Sequence, residues 1–339
     1  MTPARLAEID RILKEGDVNG RLTRDDLPTP ALLLDLDVFE ANVRKMADHC
    51  SANGIALRPH AKTHKCPEVA RRLAAAGAVG ACTAKLSEAE VLACHGIQGL
   101  LITTPVVGAY KLVRAVQLVS HHPDTMLLVD HPRNAEELND AARAAGTTVQ
   151  VVIDLHVGKK GGIPPGEPAL TLARLVDSLP NLRLAGLQAY AGFASHVESF
   201  QRRKQVSAEA LAPAIETKSL LERHGIPCGL LTGGSTGTYN IDATGPGLTE
   251  LQPGSFIFMD IDYNRIGGET GAAYLDFGNA LTVMTTVVSK PSRNLAVVDG
   301  GYKAFATDRP YVPEAIGIPG IQYSWGGDDR RSGDATPRL

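Results

Sequence analysis

The stretch RPHAKTHK, residues 58–65, sets Lys62 between His60 and His64, directly after a short apolar run that ends at Leu57. An amine flanked by imidazoles over a partly apolar floor has its charged form disfavoured, which makes it a competent nucleophile toward a carbonyl. The alternative is a lysine on a solvated loop, and spacing alone does not separate the two. A second stretch, Gly233-Gly234-Ser235-Thr236-Gly237, has the composition of an anion site. Glycines let backbone N–H groups turn toward a phosphate, and Ser235 and Thr236 add hydroxyl donors. The stretch lacks the GK[ST] of a nucleotide loop and the GxGxxG of a dinucleotide loop, and an ordinary tight turn has the same composition. A lysine at a strand exit combined with an anion loop points to a phosphorylated aldehyde cofactor such as pyridoxal phosphate. In LQAYAGFASHV, Tyr190 is placed to bond a phosphate or lie beside a ring. His196 is placed to accept a proton near neutral pH, against the alternative of a solvated loop histidine. Lys159 and Lys160 in HVGKKGG are either a charge source near such a ring or a solvated basic turn.

The elements that must position these residues are short apolar runs alternating with helical patterns. The runs are ALLLD (31–35), IALRP (55–59), VGACTA (79–84), GLLIT (99–103), TMLLV (125–129), VQVVID (149–154), LAGLQA (184–189) and CGLLT (228–232). Strand and helix repeated in this way predict an α/β chain with a (β/α)8 TIM-type barrel. Barrel sites lie at the C-terminal ends of the strands, and polar residues collect there: His60 and Lys62, Thr103, Asp154, Gln188 and Tyr190, then the glycine stretch. The barrel is expected over residues 29–268, with 1–28 and 269–339 forming a smaller, mostly β domain. The tail GGDDRRSGDATPRL has no apolar periodicity and is expected to be loosely held.

Composition narrows the function. A formal net charge of −3 offers no basic face for nucleic acid, so the expected partner is a small molecule. The five cysteines follow no zinc or disulfide spacing, which fits reduced thiols in the cytoplasm. No run approaches the ~18 apolar residues of a membrane span, and no membrane partner is expected.

TPALLLDLD, RPHAKTHKCPEVA, TAKLSEAEVLACHGI, GLQAYAG, TGGSTGTYN and ELQPGSFIFMDIDY, in this order, resemble the D-threonine aldolase and D-serine dehydratase family of pyridoxal-phosphate enzymes. That family has the alanine racemase-like fold, fold type III, and the resemblance runs from about residue 27 to about residue 327. It implies that Lys62 holds the cofactor covalently, with His60 tuning the lysine and Tyr190 close to the cofactor. Gly233, Gly234, Ser235, Thr236 and Gly237, with Gly254, Ser255 and Phe256, match the segments that cradle its phosphate. His196 matches a histidine that takes the β-hydroxyl proton. The implied reaction is lyase cleavage of D-β-hydroxy-α-amino acids, of the D-threonine type, to glycine and an aldehyde. The alternatives are a D-serine or D-3-hydroxyaspartate dehydratase, or a pyridoxal-phosphate-binding protein without turnover. The resemblance also implies a homodimer and a divalent metal, Mn, Mg or Zn. The family's metal ligands are a His-x-Asp or His-x-Cys pair near its C-terminus, after an Asp-Glu-His-Gly segment. This chain reads WGGDDRRSGDATPRL there, so the expectation is a C-terminally shortened β domain with no metal ligand assigned. The family's arginine near residues 159–160 is replaced by lysine, a point charge without the planar fork.

Overall fold

The computed structural model describes residues 2–16, 18, 20–158, 161–245, 247–307, 310–326 and 331–335. In chain order the strands are β1 (Ala31–Leu34), β2 (Ala56–Leu57), β3 (Ala81–Thr83), β4 (Leu100–Ile102), β5 (Met126–Val129), β6 (Val149–Asp154) and β7 (Leu182–Ala189). They continue as β8 (Leu230–Gly233), β9 (Glu250–Leu251), β10 (Leu281–Met284), β11 (Val287–Ser292), β12 (Leu295–Val298), β13 (Ile321–Trp325) and β14 (Arg331–Ala335). Contacts divide the chain into two units: Leu36–Asn279, and Met1–Asp35 with Ala280–Leu339.

The larger unit is a parallel sheet in the order β2-β9-β8-β7-β6-β5-β4-β3. Its two ends meet: Val79 N–H donates to Leu57 O at 2.8 Å and Cys82 N–H to Pro59 O at 2.9 Å, and His60 bridges Cys82 in parallel sense. The sheet therefore closes as a barrel. Its strands read as continuous apolar runs because both faces are covered, and Val151, Val152 and Ile153 are fully buried in succession. The surrounding helices bury one face each. On Pro132–Ala144, Ala135, Leu138 and Ala142 face inward while Arg133 and Glu137 pair at 2.7 Å, one turn apart.

The sequence pattern placed ALLLD first in the barrel. Instead β1 pairs antiparallel with β10 in the smaller unit. Leu32 is 69% exposed, whereas a barrel strand must bury both faces. The eighth barrel place belongs to β9, only two residues long and too short for any periodicity to mark.

The smaller unit adds an antiparallel sheet in the order β11-β12-β14-β13. The tail, expected to be loosely held, supplies β14, whose backbone pairs with both β12 and β13. Tyr302 stacks on Trp325 with ring centroids 4.3 Å apart. No helix among the described residues is long and apolar enough to cross a membrane.

Candidate active site

A small pocket opens at the C-terminal ends of the barrel strands. His60, Lys62, Thr103, Asp154, Gln188, Tyr190 and Gln252 line it. Lys62 sits on a single turn, Ala61–Thr63, that His60 caps: the Lys62 N–H donates to His60 Nδ1 at 3.3 Å. His60 Nε2 lies 3.0 Å from Thr103 Oγ1, and that hydroxyl donates to Thr83 O at 3.0 Å. A carbonyl only accepts, so the hydroxyl proton is committed and His60 must donate from Nε2. With Nδ1 accepting, His60 is a neutral imidazole. His64 accepts the Cys66 N–H at 3.0 Å on Nδ1, and burial pushes its pKa down to about 4, so it too is neutral at pH 7.

Neither flanking imidazole therefore sets a positive charge beside Lys62. Desolvation holds the Lys62 amine below the ordinary lysine pKa, opposed in part by Cys82 and Glu88. The residue as a whole is exposed at the pocket mouth, but its Nζ lies 5.3 Å from the centre of the Tyr190 ring, over its face.

A chain of buried hydrogen bonds fixes the pocket's amides. Gln188 Nε2 donates to Asp154 Oδ1 at 2.8 Å, and Gln252 Nε2 donates to Gln188 Oε1 at 3.1 Å and to Thr232 Oγ1 at 2.9 Å. Thr232 in turn donates to Glu250 Oε1 at 2.8 Å, and the Glu250 carboxylate pairs with Arg58 at 2.8 Å. Carboxylates accept only, so each end dictates the same answer: Gln252 must turn its NH2 into the chain. Both amide protons are used, which leaves the Gln252 carbonyl oxygen as the acceptor available to a ligand.

The glycine stretch follows β8. Gly234 has φ of +71°, where a side chain is strained. A Cβ on Gly233 would overlap Ala189 O, one on Gly237 would overlap Ser195 O, and one on Gly254 would lie 2.6 Å from Thr63 Oγ1. The carbonyls of this stretch are held by the protein: Gly233 O by Gln252 N–H at 2.7 Å, Ser235 O by Thr238 N–H at 3.2 Å and Thr236 O by Tyr274 OH at 2.6 Å. Phe256 N–H donates to Thr236 Oγ1 at 3.0 Å, which joins the Gly254-Ser255-Phe256 segment to the stretch. The N–H group of Thr236 has no protein acceptor among the described residues. Turned-away carbonyls and an available N–H group make an anion cradle.

His196 does not line the pocket; it stands beside the cradle. Ser195, its neighbour on the Ala194–His196 turn, accepts the Gly237 N–H at 3.1 Å and lies 2.9 Å from Tyr263 OH. The His196 ring packs on Tyr263 at 4.6 Å, and Nδ1 lies 3.5 Å from Asp262 Oδ2. Lys159 and Lys160 lie outside the described residues. Among the described residues no group of three or more His, Cys, Asp or Glu side chains is placed to hold a metal. Sequence reasoning missed Gln252, Ser195, Asp262 and Tyr263; the signal nearest to them was the ELQPGSFIFMDIDY segment, which contains three of the four.

A closed parallel barrel with a desolvated lysine at its first strand exit and an anion cradle after β8 defines a protein of the alanine-racemase type. Residues 34–262 match the alanine racemase N-terminal domain and residues 280–331 the putative serine dehydratase domain; the chain belongs to this alanine racemase-like family. It is 39% identical to a D-threonine aldolase of Arthrobacter sp over 297 residues, covering 87% of this chain and 77% of that one. It is 35% identical to a 3-hydroxy-D-aspartate aldolase of Paracoccus denitrificans (strain Pd 1222) over 307 residues, covering 89% and 79%. The crystal structure of D-threonine aldolase from Filomicrobium marinum superimposes with a TM-score of 0.88 at 38% identity, covering 93% of this chain and 86% of that one.

Proposed function

We propose that this protein is a pyridoxal-phosphate-dependent lyase that cleaves D-β-hydroxy-α-amino acids to glycine and an aldehyde. The observation that carries the reading is the Lys62 amine, desolvated at a barrel mouth over Tyr190; the glycine stretch follows β8 at the same end of the barrel, and Gly233 and Gly237 leave no room for a Cβ. These residues fit the cofactor: Lys62 would hold its aldehyde carbon, Tyr190 would lie beside its ring, and the Gly233–Gly237 and Gly254–Phe256 segments would take its phosphate. When bound, the cofactor supplies an electron sink for the bond broken at Cα.

The chain's own residues supply the rest. His196 takes the proton from the substrate's β-hydroxyl, so the C–O bond becomes a carbonyl as the Cα–Cβ bond breaks and the aldehyde leaves. The Asp262 carboxylate, 3.5 Å from Nδ1 of that imidazole, favours a proton on Nδ1 and so leaves Nε2 as the basic nitrogen. Cα then takes up a proton to give glycine. The twice-anchored Gln252 and Gln188 keep the pocket floor in one orientation while this happens.

The runner-up is dehydration, in which the hydroxyl leaves and ammonia and a 2-oxo acid form; the match of residues 280–331 to the putative serine dehydratase domain favours weighing it. Incubating the cofactor-loaded protein with D-threonine, D-3-hydroxyaspartate and D-serine, with and without Mn²⁺, decides between them. Glycine plus aldehyde is the expected product, and ammonia plus oxo acid would establish the dehydratase instead. A protein that carries the cofactor but turns over none of the three would be a binding protein. The working state is proposed to be a cytoplasmic homodimer, in keeping with five unpaired thiols and the family resemblance.

A further inference from the structure

Behind the anion cradle stands a buried guanidinium with no carboxylate of the described residues in contact. Arg203, on the helix Phe200–Arg223, has 0% relative exposure. Its Nε donates to Gly237 O at 2.7 Å, its Nη1 to Val197 O at 2.7 Å and Glu198 O at 3.2 Å, and its Nη2 to Gly267 O at 2.6 Å. The rings of Phe200 and Tyr274 lie 5.4 and 5.8 Å from the guanidinium carbon. All of these partners are neutral. Asp276 acts on it only through space, since the Asp276 carboxylate is bonded to Tyr239 OH at 3.0 Å. The other buried arginine among the described residues, Arg58, has a carboxylate partner in Glu250 at 2.8 Å. Arginine stays charged when buried, so Arg203 is a positive charge lodged among dipoles, an arrangement that is costly unless an anion completes it.

We propose that Arg203 is the built-in counter-charge and positioning residue of the cradle, and that the anion it awaits is a phosphate bound at Gly233–Gly237. The proposal rests on the reading that the cradle holds a phosphate ester, and it deepens that reading by naming a residue that does not touch the ligand. Two physical effects combine. By bonding Gly237 O, the guanidinium keeps that carbonyl turned away, so the cradle offers N–H groups rather than oxygen to the anion. Its charge acts through a low-dielectric interior, where attraction to a dianion is weakly screened. The same side chain pins the carbonyls of Val197 and Glu198, directly after His196, so the base and the cradle share one anchor.

The test compares two aldehydes that differ only in the phosphate. Full-length apoprotein is titrated with pyridoxal phosphate and with pyridoxal, reading the borohydride-reducible adduct at Lys62. Arg203→Gln should weaken pyridoxal phosphate by about tenfold or more while leaving pyridoxal within about twofold. Arg203→Lys, which keeps the charge and loses the fork, should recover part of the preference. Equal loss for both aldehydes, or an unchanged preference, overturns the proposal. A third arm needs no variant: inorganic phosphate should raise the melting temperature of the wild-type apoprotein above that in chloride of equal ionic strength. No such rise also overturns the proposal, even if neither variant folds. A phosphate-dependent rise without any adduct at Lys62 would instead leave Arg203 its role and sink the cofactor reading.

Discussion

The roles proposed for Lys62 and His196 rest on different physical causes. Desolvation disfavours the charged form of the amine, and a carboxylate lies 3.5 Å from Nδ1 of the imidazole. Lys62→Ala should abolish the borohydride-reducible adduct and lower cleavage by at least about a thousandfold while the protein stays folded. An adduct that persists on another lysine would show that the cofactor is tethered elsewhere. Asp262→Asn should lower kcat by roughly 10- to 100-fold with cofactor affinity unchanged, because it removes orientation without touching the cradle. If affinity falls in step with kcat, Asp262 works through Tyr263 and the cradle rather than through His196. The side chains proposed to carry the chemistry could be singled out in the sequence because Lys62 and Tyr190 lie just beyond apolar runs and His196 follows in the same loop as Tyr190. Their partners could not: Ser195 meets Gly237 across 42 residues and Gln252 meets Gln188 across 64, separations that no local spacing encodes.

At the scale of elements, the cradle rests on the short helix Tyr239–Asp242, and the last residue of that helix is a carboxyl with no cation in contact. Asp242 accepts hydrogen bonds from Ser207 Oγ at 2.6 Å and from Thr238 Oγ1, but burial outweighs them and raises its pKa to about 6. The folded state therefore holds this proton more firmly than the unfolded chain does. The resulting stabilisation is full below the unfolded value of 3.8 and is lost as pH rises through about 6. Asp242→Asn cannot ionise, so its stability relative to wild type should improve by about 2 kcal/mol between pH 4 and pH 7.5, read from urea unfolding at both pH values. The same difference at both would show that Asp242 ionisation is not linked to folding. Seven of the eight barrel strands could be read from the apolar runs that overlap them. The ends of the order could not: β1 has the composition of a barrel strand but finds its partner in β10, some 250 residues on, and β9 is marked only by Glu250 and Leu251.

For the whole molecule, the decisive contact joins the beginning of the barrel chain to its end. Arg58 follows the first barrel strand in chain order and Glu250 lies on the last, and these two strands pair side by side, so their ion pair lies at the seam between the chain's first and last barrel strands. Arg58 donates from Nε at 3.0 Å and from Nη2 at 2.8 Å to one carboxylate oxygen and from Nη1 to Gly99 O, while Thr232 donates to the other carboxylate oxygen. A buried pair adds little over apolar packing, but stripping it of one member leaves a charge in the interior. Arg58→Met should therefore destabilise the fold by about 3–5 kcal/mol in urea unfolding. Adding Glu250→Gln to that variant removes the stranded charge and keeps an acceptor for Thr232, so the double variant should recover at least half of the loss. The pocket should survive in the double variant as well, because Asp154 still fixes Gln188 and through it Gln252. Pyridoxal phosphate affinity within about threefold of wild type is then expected. If the double variant is no more stable than Arg58→Met, the seam depends on the guanidinium's bonds to Gly99 and not on the neutralisation of Glu250.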